Sequence, residues 1–389
     1  MRSAPLRIPS VDLLRGIAIA CVFLHHCLAP AFGGSQLPWA GWAPDFSLLQ
    51  ENLPLIMLYP LTLAWWGISL FFVISGFCIH LSANRQAHEG MRGFFTRRFF
   101  RIYPPYLAVL LFFALLWPWT RIFLDSDNGR VQIASHALLV HNFAGDTFFG
   151  INPSFWSIAV GAQLYLIYPL LLLCVRQWTW RKTIVYLAIG EAVLRLNFGI
   201  YFSLTGQHPP AWLSVNPFVF WFSWALGALL AEAYLREKTI PLADSSPWVW
   251  TVAFLVTTMV RPLSDLGFFT GAVLAANLLA RQLTADAPSA SRSISTFVTT
   301  APVSRWRRHL QSAGLWSFSI YLIHEPLIDA FSRAISPRIA GVPGAPWLVF
   351  LASAGLWFIM VPLGALLHRG IELPSIAFGR KFLRPVAAG

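Results

Sequence analysis

Charged residues are scarce in this sequence. They account for 11% of the chain, while hydrophobic residues account for 57% and the mean hydropathy is +0.61. A soluble globular domain has about one quarter of its residues charged, so this composition excludes that class. It predicts a protein that crosses a membrane several times.

Cysteine is also rare, and its positions exclude two kinds of site. The spacing fits neither a metal site nor the disulfide framework of a secreted domain. We therefore expect no metal, and we interpret the cysteines as small buried hydrophobic residues. There are four, each inside an apolar run: Cys21, Cys27, Cys78 and Cys174.

Acidic residues are fewer than basic ones, 16 against 28, which gives a formal net charge of +12. The basic residues are scattered between apolar segments and form no known nucleic-acid-binding motif, so we expect no nucleic-acid partner. Most of them fall in the segments that are cytoplasmic if both termini are cytoplasmic. The positive-inside rule therefore predicts that orientation. We expect the membrane to be the inner or plasma membrane of the cell.

Apolar runs long enough to cross a bilayer recur along the chain. The predicted fold is all-α, a polytopic transmembrane bundle of about ten spans. We see no internal repeat and no appended soluble domain, so residues 1–389 are expected to form a single integral-membrane domain. The predicted spans are 11–31, 61–82, 102–120, 156–175, 183–203, 213–235, 247–261, 265–281, 313–332 and 347–368.

The first span carries a polar stripe. On an α-helix, Arg15 and His26 lie about 20° apart in azimuth and roughly 16 Å apart along the axis, with Asp12 on the same face. A charged side chain at membrane depth costs at least ~2.5 kcal/mol, so it normally faces the bundle interior and indicates a functional site. His26 is a candidate general base because imidazole titrates near neutral pH. Arg15 has an alternative interpretation, in which it snorkels to the interface with Asp12 as its partner.

Three arginines, Arg97, Arg98 and Arg101, lie within about one turn at the cytoplasmic start of the third span. Guanidinium groups bind phosphate oxygens in pairs, so such a cluster suits a polyphosphate. The alternative is a positive patch that holds lipid headgroups.

Five segments of the chain form an ordered set of motifs. They are Leu14-Arg15 with His26, the run from Gly67 to Phe77, Arg98 to Pro104, Phe155 to Val160 with Gln163 to Tyr165 and Pro169, and Ser317 to Pro326. Together they resemble the acyltransferase-3 family of polytopic membrane O-acyltransferases, over essentially the whole chain. One position departs from the family pattern, because Gly161 stands where the fourth-span motif has glutamate.

The resemblance implies transfer of an acyl group, often acetyl, from cytoplasmic acyl-CoA to a hydroxyl of a carbohydrate or glycosylated small molecule. Acyl-CoA is then a co-substrate, and no tightly bound cofactor is expected. His26 and Arg15 match the family's catalytic pair. Arg98 and Arg101 match its paired arginines at the cytoplasmic mouth, and we add Arg97 to the predicted acyl-CoA site. The candidate supporting residues are Asp12, Ser75, Tyr165, His324 and Glu325.

Two other functions remain open from the sequence. Ionisable residues inside spans also suit a proton-coupled transporter or flippase, although no repeated half and no matching pair of broken helices is present. A second alternative is a family member weakened by Gly161 that binds acyl-CoA without efficient turnover. For an active enzyme we expect direct transfer in a ternary complex, since no activated serine or cysteine lies beside His26.

Overall fold

The computed structural model describes residues 8–33, 39–40, 43–44, 57–120, 127–286 and 304–383. Within these ranges the only strands are two antiparallel pieces of two residues, β1 (Trp39–Ala40) and β2 (Ala43–Pro44). Almost all the rest is helical, which confirms the predicted all-α fold.

The described ranges contain eighteen α-helices. In chain order they are α1 (Pro9–His26), α2 (Leu28–Phe32), α3 (Tyr59–Thr62), α4 (Trp66–Arg85), α5 (Gly90–Leu111), α6 (Asp127–Ala137), α7 (Gly145–Phe148), α8 (Phe155–Leu166), α9 (Tyr168–Thr205), α10 (Ala211–Ser214), α11 (Trp221–Leu235), α12 (Pro247–Met259), α13 (Leu266–Asp286), α14 (Arg305–Leu315), α15 (Ser317–Ile339), α16 (Ala345–Gly355), α17 (Trp357–Leu367) and α18 (Leu373–Gly379). Short 3-10 helices cover Leu63–Trp65, Ala87–Glu89, His141–Phe143, Arg261–Leu263 and Arg380–Leu383, and π-helical turns cover Phe112–Leu116 and His368–Glu372.

Six helical stretches of the described chain are long and apolar enough to cross a membrane, and α8 and α12 are shorter apolar helices. The protein is therefore a multi-pass membrane protein. The count of ten spans and the cytoplasmic termini stay predictions. The six stretches are Pro9–Phe32, Tyr59–Arg85, Ala87–Leu116, Tyr168–Thr205, Leu266–Asp286 and Ala345–Leu383.

The boundaries of the fourth and fifth predicted spans differ from those observed. The chain breaks at Ile167, between α8 and α9, because Pro169 has no N–H to continue the helix from Tyr165. A second break occurs at Thr179, whose φ of 72° and ψ of 159° bend α9 within the predicted loop. The predicted loop is thus a sharp break at Thr179 between two helical segments.

Two pairs of helices cross at closely apposed glycines. A Cβ added to Gly16 of α1 would lie 1.9 Å from the carbonyl oxygen of Leu310 in α14, and one on Gly314 of α14 would lie 1.8 Å from that of Asp12. The crossing of α4 and α11 has the same form at Gly76 and Gly227. Small residues let backbones approach closely in membrane proteins, where no hydrophobic force drives helix association.

Prolines inside two helices leave carbonyl oxygens without their helical N–H partners. Pro104 frees the carbonyl of Phe100, which accepts a hydrogen bond from Ser375 Oγ. Pro326 frees the carbonyl of Leu322, and the Asn152 amide donates to it at 3.0 Å. The second bond ties the chain before α8 to the first half of α15.

Candidate active site

A cavity of about 420 Å³ lies between α1, α4, α5, α8 and α15. Both glycine crossings position its walls, since Arg15 precedes Gly16 and Ser75 precedes Gly76. Its volume is in the range of small-molecule sites. The predicted site residues that line it are Asp12, Arg15, Ser75, Arg98, Arg101 and Tyr165.

The cavity is positively charged. Arg15, Arg85, Arg98 and Arg101 line it, and Asp12 is the single acid among the described lining residues. Arg98 donates to Ser82 Oγ at 2.8 Å, and its guanidinium lies 5.9 Å from the centroid of the Phe94 ring. Since three of these arginines lie at the end of α4 and near the middle of α5, an anionic ligand is favoured at that end of the cavity.

The uncharged part of the cavity contains a hydrogen-bonded serine. Ser75 Oγ lies 3.1 Å from the Tyr165 hydroxyl and accepts a bond of 3.3 Å from the Trp224 indole nitrogen. Trp224 is fully buried in α11, so these bonds fix Ser75 in place. This environment suits a packing and positioning role for Ser75.

His26 is absent from the cavity lining among the described residues, and it pairs with His324. The two rings are nearly parallel, with an interplanar angle of 16° and centroids 5.0 Å apart, and they meet edge to edge, with His26 Nδ1 2.8 Å from His324 Nε2. Glu325 Oε2 lies 3.9 Å from His26 Nδ1. The side chains of His26 and Glu325 are only partly buried, at 24% and 23% exposed.

Tyr321 connects the cavity with this histidine pair. It lines the cavity, and its ring centroid lies 5.1 Å from that of His324, one turn further along α15. Its hydroxyl donates to the Ser154 carbonyl at 3.0 Å and lies 2.6 Å from Ser157 Oγ. Ser154 Oγ in turn donates to Glu325. The cavity therefore ends within one helical turn of the histidine pair.

Residues 8–367 match the model of the acyltransferase-3 family, which is described as an acyltransferase domain. The chain belongs to this family. It is 26% identical over 341 residues to the acyltransferase MdmB of Streptomyces mycarofaciens, covering 82% of this chain and 78% of that protein. It is 22% identical over 344 residues to the peptidoglycan O-acetyltransferase OatA of Listeria monocytogenes, covering 82% of this chain and 49% of that protein. No solved structure matches the chain significantly.

In this acyltransferase, Arg97 and Arg98 have different environments. Arg97 forms an ion pair with Glu89 and is not among the described residues that line the cavity. The structure therefore separates Arg97 from Arg98 and Arg101, with which we grouped it from the sequence.

Gly161 of the acyltransferase lines the cavity, and a Cβ added there would meet no atom within 4 Å. A side chain at this position would therefore meet no clash at its Cβ. The carboxylate observed near His26 belongs instead to Glu325 on α15.

Four residues of this site did not emerge as candidate functional residues from the sequence. Ser157 and Tyr321 lie inside the family motifs but had no assigned role, and Asn152 and Ser154 lie just before one of them. A usable signal was Pro326, directly after His324 and Glu325, because a proline inside a helix frees a carbonyl that a buried donor must satisfy.

A second histidine pair lies outside the membrane-spanning stretches. His136 and His141 are fully buried and stack with ring centroids 4.0 Å apart. Burial lowers the pKa of His136 to about 4. Burial, and secondarily the neighbouring charge of His136, lowers the pKa of His141 to about 3. Both rings are therefore neutral at physiological pH.

Proposed function

We propose that this acyltransferase moves an acyl group, acetyl in the simplest case, from acyl-CoA to a hydroxyl of a carbohydrate or glycosylated small molecule. The observation that carries the proposal is the arginine-lined cavity that ends within one helical turn of the His26–His324 pair. An anionic donor with a long neutral arm fits such a site, because its charged end can bind the arginines while its reacting end lies near the histidine pair.

The donor enters from the arginine end. Arg98 and Arg101 bind the phosphates of coenzyme A, since guanidinium groups pair with phosphate oxygens. The pantetheine arm extends past Ser75 and Tyr165 toward Tyr321. Phe71 and Tyr321 both line this part of the cavity, with ring centroids 6.1 Å apart.

The acceptor reaches His26 where His26 and Glu325 are exposed. His26 takes the hydroxyl proton while the oxygen attacks the thioester carbonyl, and the thiolate of coenzyme A leaves with that proton. The similarity to a peptidoglycan O-acetyltransferase favours a carbohydrate acceptor. The hydrogen bonds that hold Ser75 favour direct transfer over an acyl-serine intermediate.

Thiol release from acetyl-CoA by the purified protein in nanodiscs tests this proposal. We expect slow release alone and faster release with sugar acceptors. Proton-coupled uptake without thiol release would establish a transporter instead, and acetyl-CoA binding without turnover would establish a weakened family member. Mass spectrometry of glycans and metabolites from a deletion strain then identifies the acceptor.

A further inference from the structure

The hydrogen bond between His26 and His324 requires one donor and one acceptor. It joins two ring nitrogens, His26 Nδ1 and His324 Nε2, at 2.8 Å. A neutral imidazole has one N–H and one lone pair, so only one of these two nitrogens carries the proton. Which nitrogen carries it determines which nitrogen of His26 can act as a base.

The backbone of Tyr321 decides between the two arrangements. His324 Nδ1 lies 2.8 Å from the Tyr321 carbonyl oxygen, which can only accept a hydrogen bond. His324 Nδ1 therefore carries the proton, and the Nε2 atom of the neutral ring is an acceptor. His26 Nδ1 must then donate to it, which leaves the lone pair of His26 on Nε2.

We propose that His324 is a positioning residue that holds His26 in the tautomer with a free Nε2, and that this nitrogen is the base. This inference rests on the proposed function. A carboxylate usually orients the base in Ser-His-Asp sites, whereas here a second histidine, itself oriented by the Tyr321 carbonyl, occupies that place.

The proton movements balance in this arrangement. His26 Nε2 takes the proton of the acceptor hydroxyl as its oxygen bonds to the thioester carbon, and the carbon–sulfur bond breaks. The departing thiolate receives the same proton from Nε2. The Nδ1 proton stays in the bond to His324 throughout, and Glu325, 3.9 Å from Nδ1, stabilises the transient imidazolium by its charge.

Two substitutions of His324 separate orientation from packing. In His324→Gln the amide oxygen can still accept from His26 Nδ1, whereas in His324→Leu no acceptor remains. We expect His324→Leu to lower kcat on the order of 100-fold or more with little change in the KM for acetyl-CoA. His324→Gln should recover at least tenfold of that loss. The control is His25→Leu, because His25 Nδ1 lies 3.4 Å from the Leu61 carbonyl oxygen and not beside a His26 nitrogen. The kcat of this variant should be close to that of the wild type.

Nitrogen-15 NMR of protein labelled at its histidines identifies the tautomer of His26, and the measurement does not depend on enzymatic activity. The His26 signals, identified by their loss in His26→Gln, should show a protonated Nδ1 and an unprotonated Nε2 at neutral pH. His324→Leu should convert them to a mixture of tautomers. A protonated Nε2 in the wild type, or equal kcat losses in the Gln and Leu variants, would overturn the assignment. Because this spectrum needs no substrate, an enzyme that fails to release thiol refutes the proposed function separately.

Discussion

At the residue scale, one step along a helix changes the environment of a side chain. Arg97 and Arg98 differ by about 100° in azimuth, and they face Glu89 and the cavity respectively. The sequence predicted the arginine cluster but could not assign its members, because the partner of Arg97 lies in a 3-10 turn whose position depends on the fold.

We predict that Arg98→Ala and Arg101→Ala each raise the KM for acetyl-CoA about tenfold with a smaller effect on kcat. Contacts to phosphates remote from the thioester bind the ground state and the transition state equally. Steady-state kinetics of thiol release measure this. Arg97→Ala is the matched control and should leave KM near wild type. A collapse of kcat at saturating donor with KM unchanged would show that Arg98 or Arg101 acts in the chemical step or in folding.

His26→Ala should lower kcat on the order of 100-fold or more while the protein stays folded in the membrane, because a general base contributes about that much. His25→Ala should have a mild effect, since His25 bonds to the Leu61 backbone and lies away from His324. Thiol release and size-exclusion profiles in detergent give both readouts. Equal losses from the two substitutions would contradict the role of His26.

Gly161→Glu should raise the KM for acetyl-CoA more than Gly161→Gln does. Neither side chain clashes at its Cβ, because nothing lies within 4 Å of a Cβ added at position 161. Only glutamate brings a negative charge into the arginine-lined cavity, where it competes with the donor phosphates. The glutamine variant controls for size and for the ~1 kcal/mol that replacement of a helical glycine can add to stability. If the two variants have the same kinetics, charge at position 161 does not affect donor binding.

The polar stripe shows what helix arithmetic can and cannot predict. The spacing of Asp12, Arg15 and His26 correctly predicted one helix, and the structure places the first two at the cavity. The partner of His26 is 298 positions away in the sequence, so no local pattern could reveal it. Only the packing of α1 beside α15 brings the pair together.

At the scale of elements, apolar composition predicted helices well and their breaks poorly. Hydropathy continues across Ile167 and Trp316, so the runs 156–175 and 313–332 gave no sign that a helix ends inside each. The break at Ile167 follows from Pro169, which a residue-level interpretation can use. The close crossings at glycines could not be predicted, because the sequence does not show which helices pack together.

The crossing of α4 and α11 gives a matched pair of glycine substitutions. Gly227→Ala should destabilise the protein by about 1–3 kcal/mol, because its Cβ would lie 1.9 Å from the Val73 carbonyl oxygen and the helices must separate. Gly190→Ala in α9 meets no atom within 4 Å and should be neutral or stabilising by up to ~1 kcal/mol. Thermal denaturation followed by fluorescent size-exclusion chromatography compares them. Equal melting temperatures would show that the crossing tolerates separation.

At the scale of the whole molecule, stability should depend on pH through His136 and His141. Their folded-state pKa values of about 4 and about 3 lie below the ordinary value of 6.5, so the unfolded chain binds more protons below pH 6.5. Their contribution to stability is complete above pH 6.5 and is lost as the pH falls toward 4. The loss is up to ~1.4 kcal/mol per pH unit for each group.

We therefore expect His141→Phe, which keeps a ring stacked on His136, to lose less stability between pH 7 and pH 5 than the wild type does. Melting temperatures across that range give the measurement. His88→Phe is the control, because the His88 side chain is 75% exposed, and its pH dependence should match the wild type. A His141→Phe profile parallel to the wild type would mean that the pair does not control acid sensitivity.

The hydrogen bond from Asn152 to the Leu322 carbonyl makes the evolution of position 152 depend on that of position 326. If Pro326 were replaced with a residue that has a backbone N–H, that N–H would donate to the Leu322 carbonyl as in a regular helix. The Asn152 amide would then no longer be the only donor to this oxygen. Asn152 also accepts from the Ser154 backbone at 3.1 Å, and Ser154 holds Glu325. The proline and the asparagine should therefore change together in evolution, because both help to keep the Glu325 carboxylate beside His26.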